Sequence, residues 1–269
     1  MRPQLNTAII FRVKDNLKYF LLLIHYWFPV ALGWSIALVV HRATGLPIFD
    51  LGFHLYLLAI FAAYNLDRII DNDDSARPRW LQAALIAGFL CSTLVGLGIA
   101  FHLSIQTFSA LLVFSVITLL YKWAKKLPLL KGVLVAVVWV WAGVALPFVN
   151  DQWFAWQFWT TRVSLPIVAL MTCGVILCDF KDIKSDRVND VRSLPAMWGT
   201  KTTTLVISAL LFIFTLVAYH ENRVGLAISG IALLALAQFP QLLSLDAIGP
   251  LIVDISLTLP GVLIALRLL

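Results

Sequence analysis

Charge is what this chain has least of: 13% of its 269 residues are Asp, Glu, Lys or Arg, while 61% are hydrophobic. Soluble domains usually carry about 25% charged and about 45–50% apolar residues. So small a charged fraction excludes a water-facing surface of ordinary size, and the mean hydropathy of +0.92 points to lipid as the surrounding solvent. Cysteine is also scarce, and Cys91, Cys173 and Cys178 all fall in apolar runs without metal or redox spacing. There is no Gly-rich phosphate loop and no nucleophile with a supporting base. His25, His41, His54, His102 and His220 show no ligand spacing. The basic N-terminal segment (Arg2, Arg12, Lys14, Lys18) precedes an apolar run too long for a signal peptide and lacks a small-residue cleavage site.

What the chain does have is long apolar runs. A membrane-spanning helix needs about 20 mostly apolar residues. Nine stretches qualify: Tyr19–Val40, Gly52–Ile70, Leu81–Phe101, Leu103–Leu120, Gly132–Val149, Arg162–Cys178, Thr203–Tyr219, Val224–Leu243 and Ile248–Leu266. They are too long and too continuously apolar for the alternating strands of a β-barrel. The expected fold is therefore all-α and polytopic, a single domain over residues 1–269 with about nine transmembrane helices around a central cavity. Pro250 and Pro260 are expected to kink the last helix, which membrane helices tolerate.

The cations report orientation. With the N-terminus inside, the cytoplasmic segments hold sixteen of the 20 Lys and Arg residues, leaving only Arg42, Arg162, Arg223 and Arg267 opposite. Such asymmetry is the positive-inside pattern. It predicts a cytoplasmic N-terminus, a C-terminus on the other side, and a multi-pass location such as a bacterial inner membrane. The net charge of +6 then reflects loops facing anionic lipid rather than a nucleic-acid partner.

Of fourteen acidic residues, eight sit in two segments at predicted cytoplasmic helix ends. The first holds Asp67, Asp71, Asp73 and Asp74, the second Asp179, Asp182, Asp186 and Asp190. Asp67 and Asp71 are four apart, as are Asp182 and Asp186, and Asp179 precedes Asp182 by three. On a helix each set shares a face. Like charges about 6 Å apart at an effective dielectric of about 20 repel by about 3 kcal/mol, so two such pairs beside a membrane call for a compensating cation. Mg²⁺, a hard ion that takes carboxylate oxygens together with substrate phosphates, suits them. Solvated loop charge is the plain alternative, and it describes Asp73, Asp74 and Asp190 best.

At these residues the sequence resembles the UbiA superfamily of intramembrane prenyltransferases, in the manner of the 4-hydroxybenzoate polyprenyltransferases. Asp67-Arg68-Ile69-Ile70-Asp71 is similar to the D-R-x-x-D core of the family's first motif. The run from Asp179 through Asp182 and Asp186-Arg187 to Ser193-Leu194-Pro195 and Gly199 is similar to the second. Tyr121 and the basic residues Lys122, Lys125, Lys126 and Lys131 after the fourth span match a third, weaker pattern. Helix count and motif positions agree along essentially the whole chain. Three positions depart from the family: Ala63 stands where asparagine is usual, Asp190 where glycine is common, and Ser193 where threonine is. Asn65 is nearby, but two residues out of place it lies about 200° round the helix.

The resemblance implies a Mg²⁺-dependent transfer of a prenyl group from a prenyl diphosphate to an aromatic or other lipophilic acceptor within the membrane. It implies Asp67, Asp71, Asp182 and Asp186 as Mg²⁺ ligands, with Asp179 beside them. It also implies Arg68, Lys125 and Lys126 as diphosphate contacts. Ionising an allylic C–O bond needs a chamber poor in water and favours π faces near the cation; Tyr64, Trp139 and Trp141 are placed for that, or for packing. Ala142 and Gly143 either leave room for the isoprenoid tail or serve close helix packing. Alternatives are a terpene cyclase of the same superfamily, a transferase using a prenyl phosphate, or a non-catalytic membrane scaffold. A cation transporter would place its acids near the bilayer midplane, whereas these clusters lie at helix ends and, of the remaining acids, only Asp254 falls inside a predicted span.

Overall fold

The structure, a computed structural model, describes residues 19–44, 50–70, 78–124, 126–127, 130–145 and 164–268, all as helices and the turns joining them, with no strand among them. The first span, α1, covers Tyr19–Ala43. It is followed by α2 (Leu51–Ile70), α3 (Arg79–Leu103), α4 (Ile105–Ala124), α5 (Leu130–Ala145), α6 (Ser164–Cys178), α7 (Ile183–Val188), α8 (Leu194–His220), α9 (Val224–Ala237), α10 (Pro240–Leu243) and α11 (Ile248–Ala265). Among the described residues five helices, α1, α2, α3, α8 and α11, are long and apolar enough to cross a membrane, and α4, α5, α6 and α9 are shorter apolar helices. Each predicted span therefore corresponds to an apolar helix.

Helices suit such a sequence because hydrocarbon offers no partner to a backbone N–H or C=O, and a helix pairs both internally. The outward faces agree. Leu94, Phe101, Ile105 and Leu205 are each at least 70% exposed, an arrangement water would disfavour and lipid would not.

Neighbouring helices pack in chain order, α1 on α2, α2 on α3 and onward through α8 and α9, and α11 returns to pack on α1. Small residues set the close approaches. Ser35 Oγ accepts from the Gly261 N–H (2.9 Å) and donates to the Thr258 carbonyl (3.0 Å), so α1 and α11 meet backbone to backbone. Tyr56 packs its ring against Gly143 and donates its hydroxyl to the Trp139 carbonyl at 3.4 Å. Of the two roles open for Ala142 and Gly143, close packing is the one seen, since Ala142 is fully buried.

Proline and glycine adjust the predicted boundaries. Pro250 falls in the first turn of α11, where its missing N–H costs nothing, while Pro260 lies inside the helix. A proline at 260 orphans the Ser256 carbonyl, and Ser229 of α9 donates its hydroxyl to that oxygen at 2.5 Å. The predicted continuous span Val224–Leu243 instead divides before Pro240, with Phe239 as the hinge. The predicted Thr203–Tyr219 extends back to Leu194, and it is interrupted at Gly199, whose φ of 77° lies in the left-handed region open to glycine.

Candidate functional site

The second motif is built as a turn followed by a short helix, not as one continuous helix. After α6 ends at Cys178, the Asp182 N–H donates to the Asp179 carbonyl (3.1 Å) and the Asp186 N–H to the Asp182 carbonyl (2.7 Å). Across this turn Asp179 and Asp186 come close enough to share one ammonium, that of Lys131. The motif closes at Asp190, whose φ of 53° is left-handed, while the Val191 N–H returns to the Asp186 carbonyl at 2.8 Å. A glycine would take that conformation freely.

The acids of this motif are held by lysines and a serine. Lys131, at the start of α5, places its ammonium 2.7 Å from Asp179 and 3.5 Å from Asp186. Ser193 donates its hydroxyl to the Asp186 carboxylate at 2.5 Å, and both residues are buried. Lys181 pairs with its neighbour Asp182 at 2.6 Å. Burial pushes the Asp179 carboxyl up to about 6 from its ordinary 3.8, and the Lys131 ammonium limits the rise.

The first motif meets the second at the same end of the bundle. Asp67 and Arg68 occupy the last turn of α2, and Arg68 lies within electrostatic reach of Asp182 as well as of Asp67. Tyr121 of α4 is within reach of Asp67, Asp179 and Lys131 together. The Arg68 guanidinium stacks 5.1 Å from the centroid of the Tyr26 ring, a cation–π contact that fixes its direction. One turn deeper, Tyr64 meets Trp139 edge to face, with centroids 5.4 Å apart; Trp141 is partly buried against the core.

Of the predicted site residues, Asp67, Arg68, Tyr64, Asp179, Asp182 and Asp186 thus share one end of the bundle. Lys126 is exposed in the turn before α5, and Asp71 and Lys125 lie outside the described residues. Asn65 is spent on structure: its oxygen accepts from the Trp27 indole (3.3 Å) and its amide donates to the Phe61 carbonyl (2.7 Å). Lys131 and Ser193 emerge as the residues that hold the second motif. Nothing in the spacing of Ser193 marks it as the partner of Asp186 seven residues earlier.

Among the described residues no three His, Cys, Asp or Glu side chains converge at metal-binding distance. The donors are all carboxylates, the ligand type of a hard divalent ion that completes its shell with water and substrate phosphate. A cavity of about 410 Å³ lies elsewhere, lined by Val39, Arg42, Arg223, Leu226 and Pro260. No family model matches the chain, and no curated protein matches it either.

Proposed function

We propose that this protein is an intramembrane prenyltransferase of the UbiA type, with nine spans and the carboxylate end facing the cytoplasm. It takes a prenyl diphosphate and alkylates an aromatic or other lipophilic acceptor. The supporting observation is the meeting of two aspartate segments more than 100 residues apart, with Arg68 of one in electrostatic reach of Asp182 of the other.

On this reading Asp67, Asp71, Asp182 and Asp186 are the residues that would hold Mg²⁺, two or so carboxylates to an ion. Bound there, Mg²⁺ supplies charge neutralisation for the departing diphosphate. The chain's own residues do the rest. Arg68, held by Tyr26, gives planar donors to phosphate oxygens, and Lys125 and Lys126 lie close enough in sequence to Tyr121 to add charge at the mouth. Lys131 and Ser193 position Asp186 and leave its second oxygen for binding. Tyr64 and Trp139 present π density just below, where the allylic carbon would lie once the diphosphate is seated. The apolar walls exclude the water that would quench the cation.

A second reading, a non-catalytic membrane scaffold, has one observation in its favour: Lys131 already compensates Asp179 and Asp186. The test is thermal stabilisation of the purified protein by geranyl, farnesyl and geranylgeranyl diphosphate, with and without Mg²⁺. Mg²⁺-dependent stabilisation that disappears in Asp67→Asn/Asp182→Asn supports the enzyme. No Mg²⁺-dependent effect at any chain length supports the scaffold.

A further inference from the structure

Below the carboxylates lies a second polar pair that prenyl-diphosphate binding does not use. His25 of α1 and Asp254 of α11 are 5% and 9% exposed. His25 lies six residues in from Tyr19, and Asp254 six in from Ile248. At 1.5 Å per residue both sit about 9 Å inside the bundle. Tyr64, six residues before Ile70, reaches the same level from α2. The α1–α11 seam runs parallel, since Ser35 meets Thr258 and Gly261 further along, so the depths correspond.

Two features set the pair apart from ordinary packing. An ionisable residue inside a membrane helix is costly and is retained for a partner or a task. Here the partnership is incomplete: His25 Nδ1 is 3.8 Å from Asp254 Oδ2, too far for a hydrogen bond, and that nitrogen is buried with no hydrogen-bond partner. Arg68 lies within electrostatic reach of both residues. Atoms 3.8 Å apart can both lie about 2.8 Å from one bridging oxygen, which would give His25 Nδ1 the partner it lacks.

We infer that His25 and Asp254 form a subsite for the hydroxyl group of a lipophilic alcohol or phenol. Nδ1–H of His25 donates to the hydroxyl oxygen, and the hydroxyl donates to Asp254. Resting on the transferase reading above, this group belongs to the acceptor. Asp254 takes the hydroxyl proton as the O–H bond breaks. The electron pair left on oxygen forms the new bond to the allylic carbon directly, or through a conjugated ring, in which case the alkylated ring carbon then gives up its proton and the oxygen takes one back to restore the phenol. The C–O bond to diphosphate breaks and its pair leaves with the diphosphate.

The probe is 4-hexylphenol, with 4-hexylanisole as the ether that cannot donate, tested by thermal shift on the full chain in detergent. The phenol should stabilise the wild type at concentrations at least tenfold lower than the anisole. Asp254→Asn and His25→Gln should lose that preference, whereas His25→Asn, which keeps a polar atom near the Nδ1 position, should retain part of it. In a farnesyl diphosphate assay Asp254→Asn should lower prenylated phenol at least 100-fold, as removal of a general base does, while Mg²⁺-dependent stabilisation by farnesyl diphosphate persists. Equal binding of phenol and anisole to the wild type, or an unchanged preference in His25→Gln, overturns the subsite. If Asp254→Asn does not fold, the Gln and Asn variants of His25 decide. Phenol selectivity without any farnesyl diphosphate effect in the wild type leaves the subsite standing and removes the transferase reading; the reverse result removes the subsite alone.

Discussion

The Lys131 ammonium stands 2.7 Å from the Asp179 carboxylate, in a space the two helices α5 and α6 shut off from solvent. The pair joins two segments that the sequence separates by 48 residues, and through Asp186 it fixes the second motif. Removing one partner of a buried ion pair strands the other charge. Lys131→Met should therefore lower stability by about 3 kcal/mol, read as a drop in thermal midpoint in detergent. Lys131→Met/Asp179→Asn should recover part of the loss.

Acidity offers a separate check on Asp179. Its folded-state value of about 6 lies above its ordinary 3.8. The folded protein therefore holds an extra proton between these limits, and by linkage this group's contribution to stability falls as pH rises from about 4 to about 6, then levels. Metal-free protein should show that component between about pH 4 and about pH 6, and Asp179→Asn should remove it. A slope of opposite sign assigned to this residue would contradict the burial described.

Ser193 and Asp190 test the shape of the second motif. Ser193→Ala deletes a hydroxyl bonded to a buried carboxylate and should cost about 1.5–3 kcal/mol, whereas Ser193→Thr should be close to neutral. Asp190→Gly relieves a left-handed non-glycine residue and should raise stability by about 1 kcal/mol. The denaturation midpoint of each variant decides.

Helix seams differ in how much they can yield. A Cβ on Gly261 would collide with the Ser35 backbone, while one on Gly174 would meet the Leu257 side-chain tip. Gly261→Ala should thus cost about 2 kcal/mol, and Gly174→Ala clearly less because a leucine tip can turn aside. Equal losses would show that the α1–α11 seam is looser than its geometry indicates.

Ser229→Ala tests the repair at Pro260. Without that hydroxyl the Ser256 carbonyl has no α9 donor, and a loss of about 1–2 kcal/mol is expected. The same change with Pro260→Ala should be milder, because alanine restores the backbone N–H.

The apolar helices and the two aspartate segments were legible in the chain because each is written locally, as run length or as spacing of three and four. Helix ends were less so. Gly199 and Phe239 interrupt helices that hydropathy alone draws as continuous or starts too late, since hydropathy does not register φ. The partners were least legible. Nothing in the spacing of Lys131 says that it faces Asp179, and His25 looked inert because its counterpart, Asp254, lies on the far side of the ring in sequence. Such pairs become visible only when the order of helix packing is known. The two alternatives for Gly143 were separated in the same way, by finding Tyr56 against it.

The Ser35–Gly261 contact spans 226 residues of chain, and that has a consequence for biosynthesis. During translation α1 is made long before α11, so until α11 follows, its Ser35 hydroxyl and His25 ring lack these neighbours. The seam closes only once α11 has been made, and Asp254, on the same helix, comes to its place with it. A product stopped before α11 therefore holds both aspartate segments beside an α1 face whose Ser35 has no Gly261 or Thr258 to meet.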